Sequence, residues 1–202
     1  MKSVQTILVT HHGSHMETIR GVAVTSARAL LNAGPPTPTT SHPWSTWLND
    51  GYPKLVKRTS ETKLKQAHTE LGGSIAHNPY TGFTVCALPP MPESEDIPGQ
   101  VSGIERDKPD PTDILPPGQW IVLHGELGLS TAEASTHAAH VRTLMAIKGL
   151  PQGATQPDVL WVTAALFREL LFDTRTTLTP CAEEPTKKTP HERVPGLLVK
   201  TK

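Results

Sequence analysis

The sequence has little of what several protein classes depend on. Its two cysteines, Cys86 and Cys181, lie far apart with no C-x-x-C spacing, which argues against a disulfide framework and favours thiols in a reducing compartment. Aromatic residues make up 4% of the chain and hydrophobic residues 36%, so only a modest core is expected. No apolar run approaches the ~20 residues of a membrane helix, and the N-terminal one is too short for a signal peptide. We therefore expect a soluble, cytoplasmic protein without a membrane partner.

The chain also lacks an excess of charge of either sign, with 19 basic and 19 acidic residues. Proteins dedicated to nucleic acids usually carry a basic excess, so any RNA contact would need a local patch. One segment offers it, KLVKRTSETKLK at 54–65. Its Lys54, Lys57 and Arg58 are candidate substrate-binding residues, and a solvated helix with a strand edge is the alternative.

Two apolar runs, TILVTHH (6–12) and QWIVLHGE (119–126), are each followed by a segment with helical periodicity. These strand–helix units align without gaps, Ile7 with Ile121 and Arg28 with Arg142. The second helical segment is predicted at 130–149. After the first unit come the strand pattern KLVKR (54–58), the helical TSETKLKQAHTELGG, and the strand patterns SIAHN and FTVCALP. After the second come DVLWVT (158–163), the helical AALFRELLFD, then TLTPCAE and GLLVKTK. Each half is therefore predicted to fold as β-α-β-α-β-β, with helices packed on a mixed sheet.

Prolines and glycines divide the chain between these halves. The predicted organisation is a first repeat at 1–104, a Pro-rich linker at 105–118 and a second repeat at 119–202, the two repeats forming an internal pseudo-dimer. The alternative is one domain whose strands all join a single larger sheet. A loop, GPPTPTTSHP at 34–43, interrupts the first half. The aromatic residues Trp44, Trp47, Tyr52 and Tyr80 are expected in loops or at loop edges, where they anchor the loop to the body or stack on unpaired bases.

The most informative stretch is LGLSTAEASTHAAHV at 127–141. Ser130 and Glu133 have the spacing of a capping box at a helix start. Glu133, His137 and His140 then fall on one face of that helix. The pattern leaves three interpretations open, namely a helix cap, an esterase site and a metal site.

This stretch resembles the signature of type-2 peptidyl-tRNA hydrolases, a strand followed by L-x-M-S-x-G-K-x-A-x-Q-x-x-H-A. The segment WLNDGYPKLVKRTSETKLKQAHTELGGSIAHNPYTGFTVCALPPMP, with IPGQVSG after it, resembles the two-part actinobacterial branch of the family. The resemblance covers most of residues 5–104 and 119–147 and, more faintly, 157–202. It implies an α/β sandwich that pairs as a dimer. It also implies hydrolysis of the ester between a peptide and the 3′ end of tRNA, without metal or organic cofactor.

The sequence departs from the family at its charged positions. Ala132 and Glu133 stand where the family has Gly-Lys, and His137 stands where it has Gln, while His140 keeps the family histidine. At the same alignment the first half carries Ile19, Ala23 and Ser26, which predicts no site there. The family's Asp-Ala-Gly turn with nearby threonines corresponds to residues 77–81 in the first half and falls within 183–186 in the second.

Replacing the lysine by Glu133 removes a cation that could bind phosphate and stabilise an oxyanion. In the esterase interpretation, His140 or His137 acts as general base and Glu133 orients it, with Ser130 and Thr131 at the substrate. In the metal interpretation, Glu133, His137 and His140 share an ion, with His124 or the His11, His12 and His15 group as further ligands.

The sequence thus predicts a peptidyl-tRNA hydrolase-like protein, monomeric through its internal pseudo-dimer, with catalytic residues His140, His137 and Glu133. Peptidyl-tRNA or another RNA is the expected partner, and no metal or other cofactor is expected. The alternative is a catalytically inactive member of the fold that binds tRNA or protein. A metal-dependent hydrolase is a further alternative that the pattern supports less well.

Overall fold

The computed structural model describes residues 3–34, 43–93, 97, 99–101, 107–150, 158–171, 176–178 and 196–201. We call residues 3–101 the first half and residues 107–201 the second half. Cys181 and the predicted turn at 183–186 lie outside the described residues, as do most of the loop at 34–43 and residues 102–106 of the segment between the halves.

The first half has the predicted order of strands and helices, with one additional helix and one additional short strand. Its elements are β1 (Ser3–Val9), α1 (His15–Asn32), α2 (Pro43–Asn49), β2 (Lys54–Arg58), α3 (Glu61–Leu71), β3 (Ser74–His77), β4 (Thr84–Pro92) and β5 (Gln100–Val101).

The second half follows the same order in its described residues. Its elements are β6 (Gly118–His124), a 3₁₀ turn (Gly125–Leu127), α4 (Thr131–Ile147), β7 (Asp158–Val162), α5 (Ala164–Leu171), β8 (Thr176–Leu178) and β9 (Gly196–Thr201). The order β-α-β-α-β-β is thus observed in each half.

The strands form two mixed sheets, in the orders β3-β4-β1-β2-β5 and β7-β6-β9-β8. In the first sheet β1 pairs in parallel with β2 and antiparallel with β4, and in the second β6 pairs in the same way with β7 and β9. Ile7 lies opposite Val56 and Ala87, and Ile121 lies opposite Val159 and Leu198. The α/β class and the mixed sheets are confirmed. The described strands do not join into the single larger sheet of the alternative.

Helices α1 and α4 pack along each other between the two sheets. Ala132 and Ala139 of α4 belong to the hydrophobic cluster of the first sheet, while Ile19 and Ala23 of α1 belong to that of the second. Alanines let the helices approach closely, since their side chains add little volume at the contact. The two halves therefore share their cores.

Helix α2 was not predicted, and it places two aromatic residues differently from expectation. Trp44 and Trp47 lie in this helix rather than in a loop. They are buried together with Tyr52, and Trp47 Nε1 donates a 2.7 Å hydrogen bond to the carbonyl of Pro53. Anchoring is confirmed for these three residues. Tyr80, in contrast, is 96% exposed.

The described part of the predicted linker packs on the second half. Thr112 forms a parallel bridge with Val162 and exchanges backbone hydrogen bonds with its neighbours, 3.0 Å to Trp161 and 3.2 Å from Thr163. Among the described residues, none of the helices combines the length and hydropathy that a membrane crossing requires.

Candidate functional site

The N-terminus of α4 is a complete capping box. Ser130 Oγ accepts from the backbone N–H of Glu133 at 3.3 Å, and Glu133 Oε2 accepts from the backbone N–H of Ser130 at 2.7 Å. This confirms the capping interpretation of the S-x-x-E pattern. Because Glu133 closes back on its own helix, its carboxylate has a structural function that requires no substrate.

The two predicted catalytic histidines lie close together and are buried. His137 and His140 are each 8% exposed, with ring centroids 6.4 Å apart. The ring of Tyr52, from the first half, meets His140 edge-on at 5.4 Å. The first half therefore covers the face of α4 on which an esterase site was predicted.

The histidines of the metal interpretation lie in different surroundings. His124 Nδ1 accepts from the backbone of Glu126 at 3.3 Å, and its ring packs on Phe167. His15 Nδ1 lies 2.9 Å from Thr131 Oγ1, at the junction of the two helix starts. Within the residues that the structure describes, no three side chains of the metal-binding types are grouped to hold an ion.

The predicted substrate-binding residues do not form one patch. Lys54 Nζ lies 4.3 Å above the ring of Trp47 and donates to the carbonyl of Tyr52. Side chains alternate between the two faces of a strand, and Lys57 is three positions after Lys54 on β2, so the two lysines point to opposite faces. Lys57 Nζ donates to the carbonyl of Ile97 at 2.8 Å. Arg58 is buried, and desolvation lowers its pKa. Ser130 caps α4, and Thr131 is fully buried beside His15.

An open cleft lies instead on the first half, between α1, the sheet at β3 and β4, and the turn joining these strands. We call it the first-half cleft. Its volume is about 610 Å³, within the usual range of small-ligand sites. It is lined by Ser14, Glu17, Arg20, Gly21, Val24, Thr25 and Arg28 of α1 and its cap, and by Ala76, His77, Asn78, Thr81, Phe83 and Val85.

The floor of the first-half cleft depends on a glycine. A Cβ added to Gly21 would lie 2.8 Å from the ring of Phe83 and 3.3 Å from Val85. Gly21 therefore lets α1 lie close to the sheet. Ala76 and Val85, directly paired between β3 and β4, continue this apolar floor.

One end of the cleft carries an oriented carboxylate. Glu17 Oε1 accepts hydrogen bonds from Asn78 Nδ2 at 2.5 Å and from Thr81 Oγ1 at 2.7 Å. Asn78 Oδ1 in turn accepts from the backbone N–H of Tyr80 at 3.0 Å, which fixes the turn. These bonds hold the start of α1 against the turn at 77–81, since both partners of Glu17 belong to it.

Two arginines lie along the cleft, and a third lies close by. Arg20 donates to both carboxylate oxygens of Asp158, at 2.8 Å for Nη2, and so connects the halves. Arg28 is exposed at the far end from Glu17. Arg142 of α4 is 2% exposed, and burial, with the charge of Arg28 as a smaller cause, lowers its pKa to about 10. Among the described residues its Nη1 has no hydrogen-bond partner.

At the predicted offset of 114 residues between the halves, Glu17 corresponds to Thr131. The helix caps correspond instead at an offset of 116, Ser14 with Ser130 and Glu17 with Glu133. When the two cap serines are aligned, Glu17 therefore corresponds to Glu133. The sequence does indicate the cap of α1, since Ser14-His15-Met16-Glu17 repeats the S-x-x-E pattern.

No protein-family model, curated protein or solved structure matches the chain. The described residues define an α/β protein with two mixed sheets and an open cleft on its first half.

Proposed function

We propose that the protein is a peptidyl-tRNA hydrolase-like protein that binds peptidyl-tRNA in the first-half cleft. One observation carries the proposal. The cleft lies between the helix after the first strand and the turn at 77–81, the segment that the resemblance aligns with the family's Asp-Ala-Gly turn. A cleft at this place supports the resemblance independently of the altered motif on α4.

The cleft has groups suited to both parts of such a ligand. Arg28 can bind a phosphate of the tRNA end, and the Glu17 carboxylate can accept hydrogen bonds from hydroxyl or amino groups. The apolar floor at Gly21 and Phe83 can accept a side chain or a base.

Binding without turnover is the form that the geometry supports best. Glu133 is engaged in the helix cap, and His140 is buried beneath Tyr52. A general base must come within hydrogen-bond reach of the water that it deprotonates, so buried imidazoles are poorly placed for catalysis. The protein is then a binding member of the fold, the alternative that the loss of the family lysine already suggested.

Turnover at the first-half cleft is a second candidate, favoured by the fixed orientation of Glu17. Its carboxylate would accept a proton from a water that adds to the ester carbonyl. Glu17 would then return this proton to the 3′ oxygen of the tRNA as it leaves, yielding free peptide acid and free tRNA.

We also propose that the halves are tandem repeats forming an internal pseudo-dimer, so that the chain is monomeric in solution. The strand order β3-β4-β1-β2 of the first sheet matches the order β8-β9-β6-β7 of the second. The contact between α1 and α4, equivalent helices in this scheme, supports the pairing.

The test uses a fluorescent tRNA minihelix carrying an N-acetylated dipeptide ester at its 3′ end. Binding is followed by anisotropy at two salt concentrations, and peptide release by chromatography. We expect salt-dependent binding that Arg28→Glu weakens about tenfold, while Arg168→Glu, on the exposed side of α5, leaves it unchanged. Release abolished by Glu17→Gln would establish the second candidate, and absence of binding would refute both.

A further inference from the structure

Strand β3 is a four-residue edge strand, protected by its shortness but not by the other features that close sheet edges. Among the described residues, it pairs only with β4, and its sequence Ser-Ile-Ala-His has no lysine, proline or bulge. Where natural edge strands carry such features, they prevent pairing, because an open edge can accept another strand. Ile75 on this strand is also 37% exposed.

The pairing pattern shows which backbone groups face outward. The N–H of Asn78 donates to the carbonyl of Phe83 at 2.8 Å, so Asn78 and Phe83 form a hydrogen-bonded pair. In an antiparallel ladder such pairs alternate, and the register makes Ala76–Val85 the next one. The N–H and C=O groups of Ile75 and His77 therefore point to the open edge.

This edge borders the first-half cleft. Ala76 and His77 line the cleft from the sheet, and α1 forms its opposite wall. A strand added to β3 would direct every second side chain toward α1, over the apolar floor. A groove between an edge strand and a helix can bind a peptide by both backbone and side-chain contacts.

Length and charge define the occupant. Glu17 and Arg28 are eleven residues apart on α1, about 16 Å along its axis, which equals about five residues of extended chain. Glu17 bonds to the turn after β3, so Arg28 lies toward the beginning of β3. A peptide with its carboxyl end at Arg28 would run antiparallel to β3, with its amino end at the Glu17 carboxylate.

We propose that an extended peptide of about five residues binds in the first-half cleft as an additional strand, antiparallel to β3, with its carboxyl end at Arg28. This inference deepens the proposed function, on which it rests for the source of the peptide. It assigns the cleft to the peptide moiety of peptidyl-tRNA, whose ester carbonyl and nearest phosphate would lie at Arg28, the place that a free carboxylate takes in the unesterified peptide.

The test uses free peptides and the intact chain. A fluorescein-labelled pentapeptide, with valine at alternate positions, serine between them and a free carboxylate, is titrated by anisotropy. Two N-methylated isomers are compared, one methylated at residues 2 and 4 and the other at residues 3 and 5. Only one set of nitrogens can face β3, so one isomer should bind about tenfold more weakly while the other binds like the parent.

Two variants locate the peptide on the protein. Ile75→Pro removes an outward N–H without removing a hydrogen bond to β4, and it should weaken binding about tenfold. Arg28→Gln should abolish the preference for a free carboxylate over a C-terminal amide, whereas Arg168→Gln should retain it. Thermal melts of the variants identify any loss of folding. The N-methyl comparison does not depend on folding of a variant, because it changes only the peptide.

Equal effects of the two N-methyl isomers would overturn the proposal. So would binding of the peptide-free minihelix with no binding of the peptide, which would assign the cleft to RNA and leave the proposed function standing. If sedimentation shows a dimer of the chain that Ile75→Pro dissociates, the edge of β3 binds a second copy. That result would also overturn the peptide proposal. Peptide binding as predicted, with no added affinity when the same pentapeptide is esterified to the minihelix, would support the inference and refute the tRNA function.

Discussion

Glu17 and Glu133 each lie three residues after the N-cap serine of their helix, and they differ in chemistry because their partners differ. Glu133 accepts from its own N-cap backbone, whereas Glu17 accepts from Asn78 and Thr81, sixty-one and sixty-four residues away. The residue type and its local pattern predicted the cap at Ser130. The sequence could not indicate which carboxylate borders a cleft, because that depends on a turn distant in sequence.

Arg142 is the most unusual single residue of the molecule. It is fully buried, it lies near another cation, and its Nη1 has no partner among the described residues. Taking a guanidinium out of water without a carboxylate is costly, since the charge loses its hydration.

We predict that Arg142→Met raises the free energy of unfolding by about 1–3 kcal/mol at pH 7, because it removes a buried charge and retains most of the volume. Urea denaturation of the two proteins measures the difference. Arg168→Met, at an exposed position, should change stability by less than about 0.5 kcal/mol. A destabilising Arg142→Met would mean that the guanidinium has a stabilising partner.

Helix α4 carries a complete capping box, and its effect can be measured separately from any ligand. Ser130→Ala should lower stability by about 1 kcal/mol, because an N–H at the helix start loses its acceptor. Glu133→Ala should cost a similar amount. The double variant should cost less than the sum, since the two side chains belong to one motif.

Ligand affinity distinguishes the cap from a catalytic function. Both cap variants should bind the peptidyl-minihelix like the parent chain once folding is confirmed by circular dichroism. A loss of affinity or of turnover in Glu133→Ala, without a loss of stability, would contradict the assignment of this glutamate to the cap.

The regular elements could be predicted well because each has a local signal. The pattern KLVKR gave β2 at Lys54–Arg58 without error, and α4 was placed within two residues of its ends. Helix α2 was missed because its seven residues begin at a proline within a loop-like composition. The first-half cleft was missed because three segments far apart in sequence form it. Hydrophobic periodicity indicates single helices and strands, but not which of them come together.

The whole molecule is held together by cores that cross between its halves. Each sheet packs against its own helix and the helix of the other half, and the Arg20–Asp158 ion pair joins them at the surface. Neither half can bury its helix face completely when alone.

We therefore predict a single cooperative unfolding transition for the two halves. In calorimetry, the ratio of the van't Hoff to the calorimetric enthalpy should be close to one. Ala139→Leu, which enlarges a fully buried α4 residue in the first sheet's cluster, should lower the midpoint of the whole transition. Ala165→Leu, on exposed α5 surface, is the matched control. Two resolved transitions would show that the halves fold independently.

Which half binds the ligand can be tested directly with three variants. Val24→Trp places a large side chain in the first-half cleft, Ala165→Trp places the same side chain on exposed surface, and His140→Ala changes the buried helix of the second half. The affinity of each folded variant for the peptidyl-minihelix is then measured at one salt concentration. We expect that Val24→Trp alone loses binding, because the added indole occupies the cleft. Binding that survives in Val24→Trp and disappears in His140→Ala would contradict it and return the site to α4.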